Sequence, residues 1–340
     1  MNLSRTSLLA ACVATVTAVV GVVAVPANAA PARAGATPVG AAASYWDPAT
    51  GASATTEADA QRIAEAYWTK ERMASAKPAP LGQVDTAKGT PDTRTDSKAP
   101  QILTHPALPA AGVQSGPGVQ DAAFSYANGK VFFLDPIDGL NYVCSGSPAN
   151  SGKRRLILTA GHCVHGGPGR TWMQNWYFVP GYSQGWEPNG RFTAWAMWTW
   201  TGWMNNEDRH WDYAFVIANN NSANRKVVEV AGGHGLVSNA GRPFVHVAGY
   251  PGNKDGGEIQ WYCWGTTWRL APWRSDQTLN CDFGGGASGG PWLRDYDHNN
   301  GLGYAISVTS QIGTFGINTG PYFDHALWTL FNTAENNSPA

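Results

Sequence analysis

Short apolar runs separated by turn residues occupy this chain from about residue 121 onward, and this pattern constrains the fold more than any other feature. Runs of this length and spacing are typical of the strands of sandwiches and barrels. The 40 glycines of the chain also suit a turn-rich, all-β architecture. We therefore predict strands at 130–134, 156–159, 213–218, 244–248, 258–264 and 303–310.

The C-terminus is the exception to the strand pattern. Apolar residues recur there at helical spacing, at Phe323, Ala326, Leu327, Leu330 and Phe331. We predict a C-terminal helix on an all-β domain that spans residues 121–335. A domain of this length can hold two barrels of about 100 residues each.

Residues 1–29 have the pattern of a secretory signal peptide. Arg5 supplies a positive charge, an apolar stretch follows, and residues 27–29 have the small-x-small pattern that signal peptidase reads. A membrane anchor is the alternative, but Thr15 and Thr17 interrupt a stretch that would need about 20 predominantly apolar residues. We therefore expect a secreted, extracellular protein that has no contact with a membrane after signal cleavage.

Export changes how the cysteines are interpreted. Cys12 lies in the signal peptide, and an even number of cysteines outside the cytosol favours disulfides. Cys144, Cys163, Cys263 and Cys281 can pair in more than one way. We expect Cys144 with Cys163 and Cys263 with Cys281, because each pair is local. Each bridge would stabilise the fold by about 3 kcal/mol in the chain-entropy model.

Residues 30–120 differ from the rest in composition, being rich in Ala, Pro, Thr and Gly. Thr56 and Asp59 fit a capping box at the start of a helix. The apolar face of that helix repeats at i, i+3, i+4 and i+7, with Ala60, Ile63, Ala64 and Tyr67. Residues 81–118, with many Pro, Thr, Asp and Gly, are typical of a linker.

Two interpretations of residues 30–120 remain open. They form either a propeptide that is removed after export or a disordered spacer. We favour a partly helical, partly disordered propeptide that would keep the exported protein inactive until it has left the cell. The cleavage point would lie between about residues 114 and 129.

The charge of the chain limits its partners. The net charge is −1, only 14% of the residues are charged, and no run of Lys or Arg occurs. This composition argues against nucleic acid or an anionic membrane as a partner. We expect a monomer. Most of the 16 tryptophans are expected in the core, although a few could stack on sugars or peptide side chains.

A nucleophile and a base stand out in two separate segments. Ser288 lies among glycines, so no bulky neighbour hides its hydroxyl. A serine hydroxyl needs a base within hydrogen-bond reach and a group that orients that base. His162 follows an apolar strand and is the candidate base. Asp212, at the start of strand 213–218, is the candidate orienting group, with Asp208 as second choice.

The flanking residues resemble the two signature blocks of the chymotrypsin-like serine peptidases. The blocks are TAGHC at 159–163 and GASGGP at 286–291, and the order His, Asp, Ser along the chain is that of chymotrypsin. The resemblance covers roughly residues 125–332. It implies two antiparallel β-barrels with the active site in the cleft between them. It also implies an oxyanion hole formed by the amides of Gly286 and Ser288, and catalysis without a metal or an organic cofactor.

Two departures from the family pattern affect activation and specificity. Ala287 stands where many members carry an aspartate that pairs with the new N-terminus, so activation should not use that ion pair; the propeptide would block the cleft or assist folding. Asp282 and Ser310 are candidates for the substrate pocket. Asp282 would select Arg or Lys, but a glycine insertion disturbs its alignment. Thr309, where glutamyl endopeptidases carry a histidine, weakens a Glu-specific interpretation.

The sequence thus predicts a secreted serine endopeptidase that hydrolyses proteins or peptides through an acyl-enzyme, with its own propeptide as inhibitor. One alternative is an esterase or a narrow processing peptidase. Another is a non-catalytic secreted binding protein on the same fold. His162 and His165 could also form a metal pair, but no CxxC motif or acidic partner lies near them.

Overall fold

The structure, a computed structural model, describes residues 35–84, 98–110 and 124–340; the predicted signal peptide, residues 1–29, lies outside them. The strands are β1 Pro38–Ala42, β2 Lys77–Pro78, β3 Gly82–Gln83, β4 Gln101–Thr104, β5 Gly129–Asp135, β6 Leu140–Ala149, β7 Leu156–Thr159, β8 Gln174–Pro180, β9 Phe192–Trp200, β10 Ala214–Ala218, β11 Gly235–Ser238, β12 Phe244–Gly249, β13 Trp261–Thr266, β14 Gln277–Asn280, β15 Pro291–Asp297, β16 Leu302–Val308, β17 Gln311–Ile312 and β18 Ile317–Gly320. The helices are α1 Glu57–Tyr67, α2 Lys70–Ser75, α3 Thr201–Asn206, α4 Val227–Ala231 and α5 Ala326–Asn337. The prediction of a mostly β fold with a C-terminal helix is confirmed.

Six antiparallel strands close into a barrel in the first half of the fold. Each pairs with the next in the order β5, β6, β7, β10, β9 and β8, and β8 returns to pair with β5. β7 and β10 are buried along their whole length, which is why both read as continuous apolar runs in the sequence. Side chains such as Leu158, Trp176 and Val216 are fully buried in the core. Burying one such side chain stabilises the fold by about 1.5–3 kcal/mol.

The second half is built from two sheets rather than one closed ring. One sheet has the order β13-β12-β15-β16-β11-β4, and the other has the order β14-β18-β17-β3. The buried side chains of Val247, Phe283, Trp292 and Ile306 form the core of this half. Gly320 of β18 packs directly on the backbone of β16, since a Cβ on Gly320 would lie 2.1 Å from the Val308 carbonyl oxygen.

Part of the N-terminal region, residues 35–84, packs on the first barrel. We call it the N-terminal segment. β1 adds an antiparallel strand to β9, and α1 packs against β8 and β9. The predicted cap of α1 is present, because Thr56 Oγ1 accepts a hydrogen bond from the Asp59 amide at 3.1 Å. Trp68 is buried, and its Nε1 donates to the Asn175 carbonyl at 2.7 Å.

The region predicted as a linker, residues 81–118, supplies two strands within its described part. β3 pairs in parallel with β17, and β4 pairs in antiparallel fashion with β11. β2, just before it, pairs in parallel with β6 of the barrel. Open sheet edges accept backbone hydrogen bonds whatever the side chains are. The composition of this region therefore did not reveal that it forms strands.

Two disulfides and the last helix fasten the fold. Cys144 is bonded to Cys163 and Cys263 to Cys281, which are the two local pairs expected from the sequence. α5 lies on the first barrel, where Phe331 contacts Phe215 with ring centroids 5.8 Å apart. Within the described residues, the helices are too short or too polar to traverse a bilayer.

Candidate active site

The strand order brings His162 and Asp212 together. His162 lies in a single 3₁₀ turn, Gly161–Cys163, directly after β7, and Asp212 ends another such turn just before β10. β7 and β10 are antiparallel neighbours, with Ala214 opposite Thr159. The end of one strand therefore lies beside the start of the other, although the two side chains are 50 positions apart in sequence.

The imidazole of His162 and the carboxylate of Asp212 are hydrogen-bonded. Nδ1 lies 2.8 Å from Oδ2 and 3.0 Å from Oδ1, and the His162 backbone amide donates to Oδ1 at 2.8 Å. An ionised carboxylate only accepts hydrogen bonds, so we assign the ring proton to Nδ1. Nε2 is then an acceptor, and it is buried without a hydrogen-bond partner among the described residues.

Asp212 is fully buried and has further polar partners. Ser310 Oγ donates to Oδ2 at 2.5 Å, and Arg209 Nη1 lies 3.1 Å from the same oxygen. Burial alone would raise the pKa of Asp212. The attraction and hydrogen bond of His162, the charge of Arg209 and the Ser310 hydroxyl outweigh it and hold the pKa well below its usual range. Asp212 is therefore ionised at neutral pH.

Ser288 lies in the loop between β14 and β15, against the turn that carries His162. Its carbonyl accepts a hydrogen bond from the Ser145 amide at 2.7 Å and lies 3.7 Å from Cys163 Sγ. Its hydroxyl is buried and has no hydrogen-bond partner in the described part of the chain. The backbone of Ser288 therefore lies beside the residue that follows His162.

Two glycines permit this close approach. Gly289 has φ +81°, and a Cβ there would lie 2.2 Å from Thr159 Oγ1. Gly286 has φ +88°, and a Cβ there would lie 2.7 Å from the Tyr250 carbonyl oxygen. L-residues with a side chain rarely adopt this conformation. The Gly286 amide donates to the Ala79 carbonyl of the N-terminal segment at 3.0 Å.

The two candidate pocket residues lie in different surroundings. The Asp282 side chain is 63% exposed and pairs with Lys254 Nζ at 2.9 Å, so its charge is already matched at the surface. The Ser310 hydroxyl is bonded to Asp212. Neither residue lines the cavity beside His162.

The cavity beside His162 has a volume of about 320 Å³ and several charged walls, formed by Asp135, Asp138, Arg170, Glu207 and Arg209. Sequence reasoning did not find Arg209, which pairs with Asp212 and with Glu207 at 2.7 Å and lies 4.6 Å from the Trp203 ring centroid. The only signal was its position three residues before Asp212. Ala79 and Pro80 of the N-terminal segment line the same cavity, and no sequence pattern indicated this.

One group of potential metal ligands lies at the site. His162 is within 4.8 Å of the sulfur atoms of Cys144 and Cys163. Those sulfurs form a disulfide, and a metal needs a thiolate. His165 is buried separately, with Nδ1 accepting from the Gly167 amide at 3.1 Å. These residues do not fit a zinc site.

Comparison with solved structures finds serine proteases. The protease Anisep from Arthrobacter nicotinovorans is 33% identical, with a TM-score of 0.57 over 63% of this chain and 98% of that chain. The thermostable serine protease AL20 from an extremophilic microorganism is 30% identical, with a TM-score of 0.58 over 63% of this chain and 99% of that chain.

A Glu endopeptidase, 21% identical with a TM-score of 0.52 over 66% of this chain and all of its own, shares the fold. No family model and no curated protein sequence matches. With a closed barrel, this site geometry and identities of 30% or more over nearly the whole length of two solved proteases, the chain belongs to the bacterial chymotrypsin-like serine proteases.

Proposed function

We propose that the chain is a secreted serine endopeptidase in which Ser288 is the nucleophile, His162 the general base and Asp212 the group that orients His162. One observation carries the proposal. The buried Asp212 carboxylate binds Nδ1 of His162, which leaves Nε2 as a hydrogen-bond acceptor. Neither this Nε2 nor the Ser288 hydroxyl has a hydrogen-bond partner within the described residues. A base held in one tautomer is what a serine nucleophile requires.

The reaction proceeds in two acyl-transfer steps. His162 Nε2 takes the proton of Ser288 Oγ as the oxygen attacks the substrate carbonyl, and the oxyanion accepts hydrogen bonds from the amides of Gly286 and Ser288. His162 then gives the proton to the departing amine, which leaves the acyl-enzyme. Water, deprotonated by the same imidazole, releases the acid and restores Ser288. Asp212 stays ionised throughout and stabilises the imidazolium.

The remaining assignments follow from this function. Residues 1–29 act as a signal peptide, residues 30–120 as a propeptide, and residues 121–335 as the peptidase domain. The substrates are proteins or peptides, and the chemistry needs no metal or organic cofactor. The mature enzyme works outside the cell as a monomer.

A fluorophosphonate probe tests the proposal, because it reacts with an activated serine. We expect the processed wild-type protein to be labelled and Ser288→Ala to lose the label. Ser222→Ala, at an exposed turn, is the matched control and should keep it. Hydrolysis of casein and of a small ester separates an endopeptidase from an esterase. A processed wild-type protein that stays unlabelled would contradict the proposed function.

A further inference from the structure

We propose that the active-site cleft is also a binding site for the chain's own residues 77–84, here called the cleft segment. The segment binds in the direction opposite to that of a substrate, with the Ala79 carbonyl at the Gly286 amide, and so blocks catalysis without being cut. This inference rests on the proposed function and specifies how the propeptide inhibits it.

The cleft segment enters along the first barrel. Lys77 and Pro78 of β2 pair in parallel with Tyr142 and Val143 of β6. The Ala79 amide then donates to the Val143 carbonyl at 2.9 Å. β6 also carries Cys144, which is bonded to Cys163 beside His162. The segment therefore reaches the site along the strand that anchors the candidate base.

The centre of the segment lies on the glycine-rich loop of Ser288. The Ala79 carbonyl accepts from the Gly286 amide at 3.0 Å, so it occupies one of the two proposed oxyanion donors. A Cβ on Gly285 would lie 2.7 Å from that same carbonyl oxygen. Ala79 is 3% exposed, and it lines the cavity beside His162 together with Pro80. The segment thus fills the position where a substrate carbonyl would react.

The segment leaves along the second half of the fold. The amides of Gly82 and Val84 donate to the carbonyls of Ser310 and Ile312 at 3.3 Å and 2.9 Å. Gly82 fits because it has no side chain, since a Cβ there would lie 2.6 Å from Arg209 Cζ. The segment therefore spans the whole cleft, from β6 past the Ser288 loop to β17.

The direction of the segment explains why it would resist cleavage. β3 runs parallel to β17. We expect a substrate to pair with β17 in antiparallel fashion, because antiparallel pairs are slightly more stable and far commoner. Reversing the chain exchanges the Cα and the nitrogen on either side of the carbonyl. The group that His162 would have to protonate is then on the wrong side of the carbonyl carbon.

Two prolines add to this resistance. The bond after the Ala79 carbonyl leads to the ring nitrogen of Pro80, a tertiary amide without a proton. Pro78 and Pro80 are exposed while Ala79 and Leu81 are buried, so the prolines give up no hydrogen bond. Their fixed φ angles reduce the entropy lost on binding. The packed α1 and β1 also hold the segment at high effective concentration next to the cleft.

The labelling rate of the intact full-length chain tests the inference, with the intact mass confirmed before each measurement. We expect the full-length wild type to react with the fluorophosphonate at least about tenfold more slowly than the processed protein. Ala79→Pro should raise the full-length rate about tenfold, because it removes the amide that donates to the Val143 carbonyl. Ala76→Pro, just outside the cleft segment, is the matched control and should leave the rate unchanged, since Ala76 follows the last residue of α2 and already has the φ of −63° that proline adopts.

A full-length wild type that reacts as fast as the processed form overturns this inference and leaves the proposed function standing. If the processed form is also unreactive, the proposed function fails instead. A peptide of residues 77–84 provides a test that does not depend on how Ala79→Pro folds. It should inhibit the processed enzyme competitively and remain intact by mass spectrometry. Cleavage of that peptide, or of its Pro80→Ala variant, would overturn the reversed direction of binding.

Discussion

The two halves of the molecule hold their parts of the site by different means. The first barrel holds His162 through polar contacts to the buried Asp212, which is itself bonded to Ser310 and Arg209. The second half holds Ser288 through backbone contacts that glycines make possible, with Gly289 packed on Thr159. Side-chain electrostatics hold the proposed base, whereas backbone shape holds the loop of the proposed nucleophile. The same substitution type should therefore have different effects in the two halves.

The largest effect is expected from breaking the polar arrangement in the first half. Asp212→Asn removes the charge that balances His162 and Arg209 and favours the wrong imidazole tautomer, so kcat/KM of the processed enzyme should fall about 10⁴-fold. Asp208→Asn is the control, because Asp208 caps the adjacent turn by accepting a hydrogen bond from the His210 amide. A loss below tenfold in Asp212→Asn, or an equal loss in both variants, would remove Asp212 from the mechanism.

The backbone arrangement in the second half is broken by a single methyl group. Gly289→Ala places a Cβ 2.2 Å from Thr159 Oγ1 and 2.4 Å from the Ser145 carbonyl oxygen at a positive φ. We expect the free energy of unfolding to drop by more than about 3 kcal/mol, measured by urea denaturation. Gly241→Ala also has a positive φ but meets open space, so it should cost only about 1–2 kcal/mol. Equal losses of stability in the two variants would show that the positive φ, and not the close contacts, explains why position 289 needs a glycine.

The two disulfides sharpen the comparison. They close loops of similar length, with separations of 19 and 18 residues, so replacing either pair by serines should cost about 3 kcal/mol of stability. Loss of Cys144–Cys163 should also lower kcat, because Cys163 follows His162, whereas loss of Cys263–Cys281 should not. Melting temperature and kcat on one substrate, measured side by side, distinguish the outcomes. Unchanged kcat in both variants would show that the first bridge does not position the base.

The smallest effect concerns a contact between the halves. His234, before β11, accepts from the Gly303 amide at Nδ1 and faces Asn128 Oδ1 through Nε2 at 2.9 Å. Burial lowers the pKa of His234 to about 3. In the unfolded chain His234 has a pKa near 6.5 and therefore binds a proton more readily than in the folded protein. The stability that buried, neutral His234 allows is fully present above about pH 6.5 and declines as the pH falls towards 3.

Between these limits, His234 changes the free energy of unfolding by at most about 1.4 kcal/mol per pH unit. His234→Asn should reduce the pH dependence of the free energy of unfolding measured between pH 6.5 and 5. His298→Asn, at an exposed position, is the comparison. An unchanged slope in His234→Asn would assign the pH dependence to other groups.

The sequence predicted those elements whose own side chains determine them. β10 and residues 156–158 of β7 are apolar because both faces are buried, and Thr56 caps α1 by a local hydrogen bond. β1 escaped prediction because Pro38–Ala42 carries no strand signal of its own and depends on the edge of β9. The contact of Ala79 with Gly286 joins two backbones, so no side-chain pattern could indicate it.

The candidate site shows the same division. His162, Ser288 and Asp212 could be proposed from the sequence because the chemistry demands those residue types. Arg209 could not, since its contact with Asp212 depends on the turn Arg209–Trp211 that sequence reasoning did not predict. Asp282 was predicted as a pocket residue, but its side chain lies at the surface and pairs with Lys254.

Under the proposed function, the extra strand that the N-terminal segment adds to the barrel has a consequence for maturation of the enzyme. A cut between residues 114 and 129 would sever one peptide bond but leave β1 paired with β9, β4 paired with β11, and Trp68 buried against the barrel. Each large apolar side chain held in this way resists separation by about 1.5–3 kcal/mol. The nicked product would be a two-chain complex that is still shut, and enzyme would appear only as the smaller chain is digested or dissociates. The lag between the cut and the first turnover then becomes a property of an interface, not of the cutting protease.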